Sequence, residues 1–234
     1  MFSPNQRLKL ILRARYVRKH GDPEIACLPD LVGEGRRAID IGANRGVYTY
    51  WLAHCCDHVE AFEPNPDPAE RIRRPALTNV CLHGEALSDE KGEVDFRVPV
   101  HYRGGADHPG GTLGDLGDAE IAAHFTTALA CLDDFAFADV DFIKIDVEGH
   151  EEKVLDGAAQ TIAQCRPAAL IELEERHNPG CVGRVRDRFA GLLFLDGGAW
   201  HPVDDLGGGQ KGPSGRYINN FLLIDAARAA ALTE

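Results

Sequence analysis

The chain has 234 residues, 44% of them hydrophobic, and a formal charge of −12. That length suits one large α/β domain with a sizeable core. The acidic balance argues against broad nucleic-acid binding, which needs a basic surface to displace counterions. Seven cysteines, at Cys27, Cys55, Cys56, Cys81, Cys131, Cys165 and Cys181, form no C-x-x-C pair. An odd count in apolar surroundings fits a reducing cytoplasm with neither disulfide framework nor zinc knuckle. No run reaches membrane-spanning length, and the start lacks the apolar core of a signal peptide, so no stable membrane insertion is expected.

The chain opens on its one basic region, FSPNQRLKLILRARYVRKHGD, in which Arg7, Lys9, Arg13, Arg15, Arg18 and Lys19 surround Leu8, Ile11, Leu12, Tyr16 and Val17. This reads as a helical segment within residues 1–35. Either its apolar stripe packs on the core and its basic face is solvated, or it touches anionic lipid or an acidic substrate.

From residue 36 to 234, short apolar runs alternate with helical stretches: RAIDIG at 37–42, HVEAFEP at 58–64, NVCLHGEAL at 79–87, VDFIKIDVEG at 140–149 and AALIELE at 168–174. LLFLDGG at 192–198 and YINNFLLID at 217–225 close the series. This pattern predicts a mostly parallel sheet covered by helices on both faces. EVDFRVPV at 93–100 alternates and reads as an added antiparallel strand, and the glycine-rich stretch 103–117 as a loop able to close over a site. One helix is expected over 151–165, ended by Pro167, and a second over VGRVRDRFAGLL.

The chemistry begins at AIDIGANRG. Asp40 falls near the end of the first predicted strand, where open α/β sheets bind ligands. Gly42 and Gly46 let the backbone turn and approach a ligand closely. Glu63 closes the second strand about 20 residues later, where an acid accepts hydrogen bonds from ribose hydroxyls. The G-x-G-x-x-G dinucleotide pattern is absent. Asp40 would repel a pyrophosphate but suits the amino-acid end of S-adenosylmethionine.

The segments AIDIGANRGVYTYWLA, VEAFEPNPD, GEALSDEKGEVDF, VDFIKIDVEGHEEKVLDGA and LIELEERHN, with the final NNFLLI, together resemble the FkbM-type S-adenosylmethionine-dependent methyltransferases from about Ile25 to Ile224. The resemblance implies a Rossmann-like class I methyltransferase fold: a seven-stranded, mostly parallel sheet with an antiparallel hairpin at one end. It implies methylation of hydroxyls on sugars or secondary metabolites, so a small-molecule or carbohydrate acceptor is expected; the acidic charge already speaks against nucleic acid. Carried over by position, Asp40, Gly42, Asn44 and Gly46 line the methionine end of the cofactor, Glu63 holds the ribose, Glu85, Ala86 and Leu87 flank the adenine, and Asp146 lies beside the transferred methyl.

A hydroxyl is a poor nucleophile, so a group must take its proton or acidify it. Two constellations offer this. Asp146 with Glu172 and Glu174, at the ends of neighbouring strands, would suit Mg²⁺. His150, in EGHEE, has a pKa suited to a general base, while Glu148 shares the side of Asp146 and His177 follows the fifth strand. Lys144, two residues earlier, is a partner for one of these acids. N-methylation, a nucleoside-binding protein without turnover and an NAD-dependent enzyme remain as rivals, the last disfavoured by the broken fingerprint. Oligomeric state is not legible.

Overall fold

The structure is a computed structural model that describes residues 4–73, 77–99, 121–189 and 191–233. Helix α1 (Pro4–His20), a 3-10 turn (Pro23–Cys27) and α2 (Leu28–Leu31) precede β1 (Arg37–Ile41), α3 (Val47–Cys55), β2 (His58–Phe62), α4 (Pro66–Arg73) and β3 (Val80–His83). There follow β4 (Ala86–Leu87), β5 (Gly92–Pro99), β6 (Ile121–Ala130), a 3-10 turn (Leu132–Phe135), β7 (Val140–Ile145), α5 (Glu151–Gly157), α6 (Ala159–Cys165) and β8 (Ala168–Glu172). The chain ends with α7 (Cys181–Arg188), β9 (Leu192–Asp196), β10 (Ala199–Pro202), a 3-10 turn (Val203–Asp205), β11 (Asn220–Leu223) and α8 (Ala226–Thr233).

The main sheet runs β10-β9-β11-β8-β7-β1-β2-β3. Its β3-β2-β1-β7-β8 portion is parallel, and β11 and β10 are antiparallel to their neighbours. Side chains alternate between faces with period two. Ile39 and Ile41, Ile143 and Ile145, and Ala169 and Ile171 enter one core with Val154 and Leu155 of α5. Ala38, Phe142, Ala168 and Leu170 enter the other, with Leu52 of α3 and with Ile25, Leu28 and Leu31. Each fully buried leucine or phenylalanine contributes about 2 kcal/mol of apolar transfer, so neither face tolerates a one-residue slip. Residues 25–31 of the N-terminal segment thus share the core of the sheet domain.

The class of fold matches the expectation, and several details differ. The main sheet has eight strands rather than seven, because a Gly197-Gly198 turn, both residues at positive φ, folds Ala199–Pro202 back on β9. The segment 93–100 does not extend this sheet: Gly92–Pro99 pairs antiparallel with β6 in a separate three-stranded sheet, β4-β6-β5. Strand β6 was not anticipated. The run 79–87 divides into β3 and β4, which enter different sheets. The long helix breaks at Ala158 into α5 and α6. There Gly157 abuts the main chain, and an added Cβ would lie 1.8 Å from the Ser88 carbonyl oxygen. The second helix stops at Arg188, since Leu192 and Leu193 belong to β9. The anticipated lid at 103–117 lies outside the described residues.

Candidate active site

Asp40, Gly42, Asn44, Glu63, Asp146, Glu148 and Glu172 of the candidate site come from the carboxyl ends of β1, β2, β7 and β8 or the loops that follow them, where a parallel sheet leaves a crevice. After β1 the chain turns so that the amides of Gly42 and Ala43 both donate to the Phe62 carbonyl, each at 3.0 Å. Gly42 has φ 76°, and a Cβ there would lie 1.8 Å from the Asp146 carbonyl oxygen. The β1 and β7 loops therefore meet backbone to backbone, and only glycine permits that approach. Gly46, also expected at the ligand, lines neither cavity described below. Its φ of 75° starts α3, and its Cα packs against Ile72.

Two adjoining cavities open here. The first, about 630 Å³, is lined by Gly42, Asn44, Phe62, Glu63, Glu85, Ala86, Leu87, Phe96, Asp146, Glu148 and His150, among others. Glu63 is 5% exposed, and its carboxylate accepts from the amides of Asn44 (2.6 Å) and Asn65 (2.8 Å). Burial raises its pKa to about 7 against these two hydrogen bonds, with Asp40 and Asp146 adding to the rise. Two main-chain donors fix the carboxylate in place and leave lone pairs for a diol. Glu85, Ala86 and Leu87 line the same cleft, which also has the apolar walls Phe62, Leu87 and Phe96 that a purine needs.

The second cavity, about 880 Å³, shares Gly42, Asn44, Asp146 and Glu148 with the first and extends to Arg13, Val17, Asp22, Asp40, Arg45, Tyr48, Lys144 and Glu172. Asp40 and Lys144 are register partners on β1 and β7. Asp40 is buried and accepts from the Thr49 hydroxyl at 2.5 Å, and burial pushes its pKa up to about 6. Lys144, 1% exposed, donates to the Ile145 carbonyl and to Asn220, and its ammonium lies 5.1 Å from the centre of the Tyr48 ring. Among the described residues it forms no close ion pair; its charge pulls the pKa of Asp22, Asp40 and Glu172 downward from within the cluster. Burial still dominates, so Asp22 and Glu172 titrate above the ordinary carboxyl range. Asp22, Asp40, Asp146, Glu148 and Glu172 outnumber Arg13, Arg45 and Lys144 around this cavity, so once the acids ionise it favours a cationic occupant.

Glu148 stands at the junction. Its backbone is left-handed (φ 54°), an uncommon conformation for a residue with a side chain and one that clusters at functional sites. Its side chain is 48% exposed and borders both cavities, with one carboxylate oxygen 3.8 Å from His177 Nδ1. Desolvation by the surrounding walls, then the charges of Asp146, Glu174 and Glu151, raise its pKa to about 7. His150 also lines the first cavity, but its Nε2 lies 2.8 Å from the Ser88 hydroxyl. Burial lowers the pKa of His150, and Lys153 adds to this. The ring ties the β7 loop to the segment after β4.

The expected Mg²⁺ ligands do not assemble. Asp146, Glu172 and Glu174 line a common small recess, but their oxygens do not converge on one position. Glu174 is drawn off by Arg176 and by His177 (2.9 Å), and Glu172 accepts from Asn219 at 2.7 Å. Among the described residues, one His, Cys, Asp or Glu group converges within 4.8 Å: Glu60, Cys81 and His83. Glu60 there is engaged by the Arg37 guanidinium and by His83, which accounts for the cluster as a hydrogen-bonded brace between β2 and β3. Asp22, Arg45 and Tyr48, which the sequence did not single out, reach the site from the turn after α1, the β1–α3 connection and the first turn of α3, and no motif marks them; Arg13, noted only as part of the basic N-terminal region, reaches it from α1.

A mostly parallel sheet with antiparallel strands at one end, a buried acid after β2 and a glycine turn after β1 define an α/β fold of the class I methyltransferase kind. The sequence profile of the Methyltransferase FkbM domain matches residues 40–195. The chain belongs to that family. It is 26% identical over 151 residues to the hexuronic acid methyltransferase AglP of Haloferax volcanii, covering 62% of this chain and 59% of that protein. The chain therefore spans less than two thirds of the length of this curated relative. In fold it is similar to an FkbM methyltransferase from Methylobacillus flagellatus (TM-score 0.51, 13% identity, 95% of this chain and 56% of that one). It is also similar to an rRNA methylase from Streptococcus thermophilus (TM-score 0.50, 10% identity, 87% and 95%).

Proposed function

We propose that the protein is an S-adenosylmethionine-dependent O-methyltransferase whose acceptor is a hydroxyl of a sugar, with an acidic sugar of the hexuronic type as the first candidate. The observation that carries the reading is Glu63, a buried carboxylate fixed by two backbone amides beside the Gly42 turn in a cleft with apolar walls. The family supports methyl transfer, and the hexuronic acid methyltransferase supports the acceptor class.

When bound, the cofactor supplies an electrophilic methyl carried on a sulfonium. On this reading Glu63 accepts from the ribose hydroxyls, Glu85, Ala86 and Leu87 flank the base, and Asp40, Gly42, Asn44 and Asp146 face the amino-acid end. Burying several carboxylates around one cavity offsets the desolvation of a cationic ligand. Glu148 takes the proton of the acceptor hydroxyl: it borders both cavities, and a pKa near 7 lets it act as a general base at neutral pH. Asp146 borders both cavities and orients the groups that meet there, while His150 holds the β7 loop through Ser88. Most of the rate then comes from holding hydroxyl and methyl in line.

The test is calorimetric titration with S-adenosylhomocysteine, with NAD⁺ as control, followed by a mass-shift assay on glucuronic and galacturonic acid glycosides. Binding of the first ligand alone, then a methyl-sized mass gain, is expected. Absence of S-adenosylhomocysteine binding refutes the assignment. Cofactor binding with no gain on any uronic or neutral sugar refutes the acceptor.

A further inference from the structure

Helix α1 is apolar on two opposite sides. Inward, Leu10 and Ala14 are buried against Tyr50, the Trp51 indole donates to the Ala14 carbonyl at 3.1 Å, and the Arg18 guanidinium lies over the Trp51 ring. Outward, Leu8, Leu12 and Tyr16 are 51%, 57% and 66% exposed. Their i, i+4, i+8 spacing makes one continuous stripe. Among the described residues, every strongly exposed large apolar side chain except Tyr217 lies in this stripe. Exposed Lys9, Arg15 and Lys19 flank it.

Charge is segregated along the chain in the same way. The stretch Met1 to His20 holds Arg7, Lys9, Arg13, Arg15, Arg18 and Lys19 and no acidic residue, on a chain whose formal charge is −12. Such segregation is not needed for solubility, which the acidic remainder already supplies.

We propose that the outer face of α1 docks the protein on an anionic membrane surface. Leu8, Leu12 and Tyr16 enter the boundary between headgroups and acyl chains, and Lys9, Arg15 and Lys19 extend along the helix to lipid phosphates. Charge complementarity selects this occupant over a second copy. A two-fold contact through the stripe would set these three cations against their own counterparts, which is repulsive. The inner side of the same helix contributes Arg13 and Val17 to the second cavity, so the docking face and the cavity share one helix. The docking does not depend on the methyl-transfer reading.

The experiment is co-sedimentation of the full chain with vesicles of phosphatidylcholine alone and with roughly 30% phosphatidylglycerol. Binding to the anionic vesicles only is expected. Leu12→Glu, and separately the triple change Lys9→Glu, Arg15→Glu, Lys19→Glu, should each weaken it by about tenfold or more. Thermal stability should stay unchanged, because all four side chains are exposed. A Tyr16→Trp variant should show a blue-shifted emission on anionic vesicles only. No retention, equal retention on neutral vesicles, or retention indifferent to both variants overturns the proposal. Leu12-dependent self-association in sedimentation velocity without vesicle binding would assign the stripe to a second copy instead.

Discussion

Replacing Glu63 by glutamine separates what this carboxylate does for a ligand from what it does to the fold. Its pKa rises from 4.5 to about 7 on folding because burial outweighs the two amide hydrogen bonds. A carboxyl whose folded pKa is raised holds its proton more tightly in the native state, so its contribution to stability is present below pH 4.5 and is lost as pH rises through 7. Once the group is ionised in both states, the loss is about 3 kcal/mol. Glutamine is neutral at every pH, and although its NH2 cannot accept from one of the two backbone amides, that cost does not change with pH. The stability of Glu63→Gln relative to the ligand-free wild type should therefore rise by about 2–3 kcal/mol between pH 5 and pH 8. For a chain of this size that is roughly 5–10 °C in Tm. The same change removes a charged acceptor from the ribose position. Losing one charge-assisted hydrogen bond and weakening another costs about 3 kcal/mol, on the order of a hundredfold in S-adenosylhomocysteine affinity. Melting curves at the two pH values and calorimetry at pH 8 read both effects. A Tm difference from wild type that is equal at both pH values refutes the raised pKa, and an affinity within about threefold of wild type refutes the ribose assignment.

Glu148→Gln should lower kcat by about 10²–10⁴ with little change in cofactor affinity, and should abolish the rise in rate near pH 7, read from single-turnover pH profiles. An unchanged profile would remove Glu148 as the base. The pKa values of Asp40, near 6, and Glu148, near 7, with Glu172 raised further, mean that the second cavity gains negative charge as pH climbs from 6 to above 8. S-adenosylmethionine, cationic at sulfur, should therefore gain affinity over that interval by roughly tenfold more than S-adenosylhomocysteine. Parallel titration curves for the two ligands would argue that these acids do not face the sulfonium. Gly157→Ala should destabilise the fold by about 3 kcal/mol or more, since its methyl would meet the Ser88 carbonyl at 1.8 Å. Denaturant unfolding checks this, and a loss below about 1 kcal/mol would mean that the α5–α6 junction yields easily.

The order of apolar runs was enough to identify the parallel sheet, because strands buried on both faces are written as local, nearly continuous hydrophobic stretches. Asp40, Gly42, Asn44 and Glu63 were legible for a related reason: strand ends and the turns after them are short-range features, and their position relative to the sheet follows once the strands are known. What lay beyond local pattern was decided by contacts between distant segments. The sequence shows 79–87 as one run, yet β4 leaves the main sheet because β6, more than thirty residues later, pairs with it. The periodic helix at 151–165 breaks where Gly157 meets Ser88, a neighbour that no pattern within the helix contains. Carboxylate spacing made Asp146, Glu172 and Glu174 look like metal ligands, but Arg176 and His177 claim Glu174 across a turn. Glu148 and His150 are separated by a single residue in the loop after β7. The fold gives one a left-handed backbone at the junction of two cavities and the other a hydrogen bond to Ser88. Local composition specifies elements and their ends; burial, charge neighbours and proton affinity depend on what the rest of the chain brings within a few ångströms, and that is fixed only in three dimensions.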